Sequence, residues 1–130
     1  MTASYDPHLL GPAGEQLAAD YLTKKGYHII AQNFRVSHNE IDLIALHQQT
    51  LCFVEVKTRC SSAKGHPAAA VTPQKQREII KAAQAYLAFS KEHEMDCRFD
   101  VIAILVHEMV ENSITSFTVE HFEDAFWATS

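Results

Sequence analysis

Residues 40–58 read EIDLIALHQQTLCFVEVKT. Glu40 to Leu46 and Leu51 to Thr58 are rich in apolar and β-branched residues, as strands are. The stretch His47-Gln48-Gln49-Thr50 between them is short enough for a hairpin. If Leu46 pairs with Leu51, Asp42 falls opposite Glu55 and Glu40 opposite Lys57. Alternation then puts all four on one face of the sheet. Directly opposed side chains have Cβ atoms about 5 Å apart, so two carboxylates placed this way repel. Inside an apolar strand pair that requires either a protonated acid or a cation between them. A hard divalent ion such as Mg²⁺ takes carboxylate oxygens, backbone carbonyls and water. Asp42, Glu55 and the carbonyl of Val56 can supply the protein's share. Lys57 would point to the same place, to orient a water or to stabilise charge growing on a phosphate. An ordinary cross-strand ladder, with Glu40 and Lys57 as a plain ion pair, accounts for the same residues without chemistry.

On the N-terminal side, Gly11-Pro12 starts a helix, with Pro accepted in the first turn. Leu17, Ala18, Tyr21 and Leu22 form its apolar stripe. Lys24, Lys25 and Gly26 suit its C-terminal end. Glu15 lies at the edge of the stripe, where an acid can look along the sheet. Tyr27 to Ala31 reads as a strand. On the C-terminal side, Arg59 to Val71 is a loop of small residues. Thr72-Pro73 gives an N-cap followed by Pro at the first helical position. That helix runs to about Ser90, with Ile79, Ile80, Ala83, Tyr86 and Leu87 inward. Phe99 to Val106 is apolar on both faces, as a buried strand is. Ile114 to Val119 is expected to pair with it, and His121 to Ala128 reads as a short terminal helix. The order is α-β-β-β-α-β-β. This is an α/β chain with a mixed central sheet flanked by helices, expected to form one domain over residues 1–130.

The chain has 130 residues and a formal net charge of −5, which argues mildly against a general nucleic-acid binder. The distribution says more. From Lys57 to Lys81 there are six basic residues and one acid, whereas from Glu92 onward there are nine acids and one base. A basic face can exist on such an acidic protein. Arg59, Lys64, Lys75 and Arg77 are the candidates for phosphate contact, and a pair of solvated faces is the alternative. The three cysteines, Cys52, Cys60 and Cys97, form no CxxC and suggest no disulfide framework. The eight histidines form no HxxxH or HExxH pair, so zinc is not expected. No apolar run reaches membrane-spanning length and the start lacks a signal-peptide pattern. A cytoplasmic location without membrane association is therefore expected. Asp100, on a buried strand, is expected to be a pairing or capping acid. Phe126 and Trp127 are expected to close the core or an interface.

The phrases GEQLAADYLTKKGYHIIAQNFR (14–35), NEIDLIA (39–45), FVEVKTR (53–59), VTPQKQREIIKAAQAYL (71–87) and RFDVIAI (98–104) resemble the YraN-like family of bacterial proteins. That family is similar to archaeal Holliday-junction resolvases, within the PD-(D/E)xK nuclease superfamily. The resemblance implies a restriction-endonuclease-like core. It also implies a metal-dependent nuclease that hydrolyses DNA phosphodiesters, on branched or damaged substrates. A non-catalytic nucleic-acid-binding or protein-interaction module on the same fold is the alternative. Asp42 matches the superfamily's first acid, Glu55 and Lys57 its (D/E)xK pair, Glu15 the first-helix acid of resolvase-like branches, and Gln74 a polar position bordering such sites. Mg²⁺ or Mn²⁺ is the implied cofactor, and related resolvases imply a homodimer. One departure is Asn39, where the family usually has Gly. Asn tolerates left-handed backbone nearly as well, so the turn is expected to survive.

Overall fold

A computed structural model describes residues 7–60, 71–91 and 94–127. Its elements are α1 (Pro7–Lys24), β1 (His28–Val36), β2 (Asn39–His47), β3 (Thr50–Arg59), α2 (Pro73–Phe89), β4 (Asp96–Val110) and β5 (Ser113–Phe126). This is the α-β-β-β-α-β-β order of a restriction-endonuclease-like fold. The five strands form one sheet in chain order, β1-β2-β3-β4-β5. β3 and β4 are parallel, with α2 in the connection between them, and the other neighbours are antiparallel.

Each helix covers one face, and alternation along the strands divides the core between them. Ala18, Ala19 and Leu22 of α1 pack with Leu43, Ala45, Cys52, Val54, Val56, Ile102 and Ile104. Ile79, Ala82 and Ala83 of α2 pack with Ile44, Leu51, Phe53, Phe99 and Val101 on the other side. Both apolar stripes read from the sequence are therefore turned inward, with Tyr21, Tyr86 and Leu87 half-buried at their rims. Thr72 caps α2 as expected, its hydroxyl accepting from the amide of Lys75 at 3.2 Å, with Pro73 just behind it.

The expected hairpin is present in the expected register, with Leu46 opposite Leu51 and His47 opposite Thr50. Several boundaries differ. α1 starts at Pro7, and Pro12 lies inside it; Leu10, packed against the core, carries the helix upstream of Gly11. β1 starts after Tyr27 and runs on to Val36. His121 to Phe126 is strand, not helix. Ile102 pairs with His121, Val101 with Phe122 and Phe99 with Phe126, so ladder bonds along a 15-residue β4 outweigh the local preference. Ala128 lies outside the described residues. In the β1–β2 turn the left-handed residue is Ser37 (φ 58°), not Asn39, which is already paired with Val36. Phe126 is buried in the core, while Trp127 is exposed and donates its indole N–H to Asp124.

The β1–β2 ladder is irregular at two places: its register shifts between Ile29 and Ala31, and a rung is missing at Asn33. Partners across β1 and β2 run from Gln32 with Leu43 to Phe34 with Ile41, leaving Asn33 and Asp42 out of the ladder. Asn33 has φ 53°. Ile41 and Ile44, three residues apart, lie in the same core cluster, and Ala31 and Phe34 pack on it too. In regular strands residues three apart face opposite ways. The alternation has slipped by one step in both strands here.

Candidate metal centre

The slip builds the site. β2 and β3 are paired as far as Leu43 and Val54. Beyond that, Asp42 replaces the ladder bond with its side chain, Oδ2 accepting from the amide of Val56 at 2.8 Å. Sequence alternation had Glu40, Asp42, Glu55 and Lys57 sharing one face. Glu40 and Asp42 also meet Glu15 of α1: one carboxylate oxygen from each of these three lies within 4.8 Å of the others. Glu55 stands beside Asp42, close enough for its charge to act on the Asp42 carboxyl.

α1 reaches this corner because Gly14 has no side chain. A Cβ on Gly14 would overlap the hydroxyl of Thr58, so only glycine lets the helix approach the end of β3. Glu15, the next residue, is thereby delivered to the acids of β2.

Electrostatically the cluster is under load. Burial, and then the negative charge of Glu55, push the Asp42 carboxyl up to about 7; the Val56 amide opposes the shift. Burial also raises Glu15, a bond from Asn33 opposes it, and the charges of Asp42 and Glu40 add to it. Glu55 is 5% exposed. Its Oε2 pairs with Lys57 Nζ at 3.4 Å, while its Oε1 is buried with no hydrogen-bond partner. A buried carboxylate oxygen left unmatched is costly. Asp42 links this carboxylate to the group of Glu15, Glu40 and Asp42, and hard oxygen donors gathered in this way fit a hard divalent cation.

The other sequence candidates are distributed as follows. Lys57 keeps 30% of its side chain exposed beside Glu55, and Val56 is tied to the site through its amide. Glu40 is not the partner of Lys57: its Oε2 pairs with Arg35 Nε at 2.7 Å. Gln74 is exposed on the first turn of α2 and makes no hydrogen bond to these acids among the described residues. Lys75 and Arg59 are half-buried and Arg77 is exposed. Lys64 lies outside the described residues. Asn33 and Arg35 were not picked out from the sequence. Their signal was the polar pair in QNFR, which the β1–β2 register sets against Asp42 and Glu40. Asp100, by contrast, is structural. It is fully buried and accepts from Arg98 (2.9 Å, twice), His121 (2.8 Å) and the amide of Asp124 (3.0 Å). Burial alone would raise its carboxyl, but bonds from His121, Arg98 and the Asp124 amide outweigh that and hold it below the usual carboxylate range.

A family model described as "Uncharacterised protein family UPF0102" matches residues 14–104. A UPF0102 protein of Chlorobium limicola is 62% identical over 123 residues, 95% of either chain. One of Chlorobium chlorochromatii is 63% identical over 118 residues, 91% of either chain. A UPF0102 protein of Trichlorobacter lovleyi is 47% identical over 118 residues, 90% of this chain and 89% of its own. The matched span holds Glu15, Asn33, Glu40, Asp42, Glu55 and Lys57. The chain belongs to the UPF0102 family.

Proposed function

We propose that this UPF0102 chain is a divalent-cation-dependent endonuclease that hydrolyses phosphodiesters of DNA, with branched or damaged DNA as the first substrates to try. One observation carries the reading: the buried, unpartnered Oε1 of Glu55 beside an Asp42 whose carboxyl is pushed up by burial and by Glu55 itself. Those lone pairs call for the proton that Asp42 carries below about pH 7 or, once it is lost, for a cation. Glu15, Asp42 and Glu55, with the carbonyl of Val56, would hold Mg²⁺ or Mn²⁺, whose preference is for such oxygens. When bound, the ion polarises a phosphoryl oxygen and makes a bound water more acidic.

The chain's own residues do the rest. Lys57, partly in solvent and beside Glu55, orients the attacking water and meets the charge that develops on the phosphate. Arg59, Lys64, Lys75 and Arg77 would hold the nucleic-acid backbone, and Gln74, on the first turn of α2, would border the site. Working in the cytoplasm as a homodimer, two copies would offer one site to each strand.

The test is incubation with supercoiled plasmid, single-stranded DNA and a four-way junction in Mn²⁺. Cutting of at least one is expected, and its loss in Asp42→Asn and in Lys57→Ala. No cutting of any of them would sink the reading. DNA binding that is salt-sensitive, independent of metal and unchanged in Asp42→Asn would favour a non-catalytic module, for which the basic stretch from Lys57 to Lys81 is the support.

A further inference from the structure

Three carboxylates gathered at one corner repel, and something must hold them there before any cation arrives. The side chain of Asn33 is where it needs to be for this. Its Nδ2 donates to Glu15 Oε1 at 2.7 Å and to Glu40 Oε1 at 3.2 Å. One amide nitrogen thus joins the acid of α1 to the acid of β2. Glu15 keeps its other oxygen for further bonds, whereas Oε2 of Glu40 is taken by Arg35. Glu40 is fixed from its far side by Arg35.

The backbone of Asn33 is unusual in the same way. It stands in the left-handed region at φ 53° in the middle of a nine-residue strand, a conformation that Asn visits more readily than most residues. The turn takes Asn33 out of the ladder opposite Asp42 and turns its side chain toward the acids. Packing does not explain the side chain, because Asn33 is exposed. The backbone turn alone, which brings Phe34 onto the core, could be made by glycine, which needs no side chain for it.

We infer that Asn33 is the positioning residue of the cation site: its amide holds the Glu15 and Glu40 carboxylates together, facing Asp42, and so preorganises the ligands. This rests on the metal-site reading of the proposed function. It assigns to β1 a function that the acids of α1, β2 and β3 do not have. Partners that orient metal ligands typically change affinity ten- to a hundredfold when removed.

The experiment is a double-mutant cycle read by Mn²⁺ titration calorimetry. Asn33→Gly keeps the backbone conformation and deletes the amide. The variant is expected to fold like the parent by circular dichroism and to bind Mn²⁺ at least about tenfold more weakly. In a background with Glu15→Gln and Glu40→Gln together, the same change is expected to cost less than about twofold, because both carboxylates through which Asn33 acts are already gone. A general structural role would instead weaken binding equally in both backgrounds, and that result overturns the inference. So does an Asn33→Gly protein that binds Mn²⁺ as the parent does. Should the glycine variant fail to fold, Asn33→Ser, one atom shorter and with a single donor, carries the same cycle with the same expectations. A parent protein that binds no Mn²⁺ at all removes the metal-site reading and this inference with it. A parent that binds Mn²⁺ beside an insensitive Asn33→Gly removes the inference alone.

Discussion

Below about pH 7 the folded protein keeps a proton on Asp42 that the unfolded chain releases near pH 4. A carboxyl raised in this way stabilises the fold fully below its unfolded pKa, and the contribution is lost as pH rises through the folded one. In EDTA, Tm is therefore expected to fall between pH 5 and pH 8, and Asp42→Asn to flatten that slope. Mn²⁺ is expected to raise Tm more at pH 8 than at pH 5, since the ion binds the deprotonated acids and only the folded state gathers them. Differential scanning fluorimetry across that range checks both. Asp100 has the opposite sign. Its carboxyl is held low, so its contribution is present above the unfolded pKa and lost as pH falls through the folded one. Asp100→Ala leaves the buried Nε2 of His121 without its acceptor and takes two bonds from Arg98, which keeps only Tyr27 and Glu123, and is expected to cost about 3–5 kcal/mol in urea unfolding at pH 7. The gap from the parent should narrow toward pH 3. The sequence made Asp42 and Glu55 readable, because two acids opposed across an apolar hairpin are conspicuous. Asn33 was not readable: its importance lies in a φ angle and in the reach of an amide across three elements, and neither leaves a periodicity.

Gly14→Ala tests how α1 sits against β3. The added methyl must displace the helix or Thr58. Such overpacking costs about 1–3 kcal/mol, and here it is expected to weaken Mn²⁺ binding as well, because Glu15 moves with its helix. Ile79→Ala in α2, on the opposite face of the sheet, is expected to cost about 2–5 kcal/mol in stability and to leave the Mn²⁺ affinity of the folded protein unchanged. Calorimetry on both variants separates the two outcomes. The strands β2, β3 and β4 were recognisable from composition, and α2 from its Thr-Pro start, since each signal is local. β5 was cut short and its end misread as helix. What makes Glu120 to Phe126 extended is the neighbouring β4, a partner many residues away that no short window contains. Glu40 was misassigned for a different reason: its partner, Arg35 of β1, lies only five residues upstream across the β1–β2 turn, whereas the hairpin register had pointed to Lys57 of β3.

For the molecule as a whole, the charge asymmetry read from the sequence makes a quantitative demand. If the basic stretch holds a DNA backbone, log K should fall linearly with log salt, with a slope near −0.9 for each phosphate neutralised. Changing Lys75 and Arg77 together to Ala is expected to reduce that slope by about two, as a fluorescence anisotropy titration would measure, without altering Mn²⁺ binding. Among the described residues no helix is long and apolar enough to cross a membrane. The mixed sheet with a helix on each face follows from the order of the elements, so the architecture was within reach of the sequence. The slip at Asn33 and Asp42 was not. That slip also sets two kinds of fitness against each other. A valine at position 33 would suit a straight β1 better and restore the missing rung opposite position 42. Selection for ruggedness alone would then favour an ironed-out sheet, tougher and chemically mute, with its acids dispersed. The persistence of the crease under such selection in the laboratory would be a direct measure of what the corner is for.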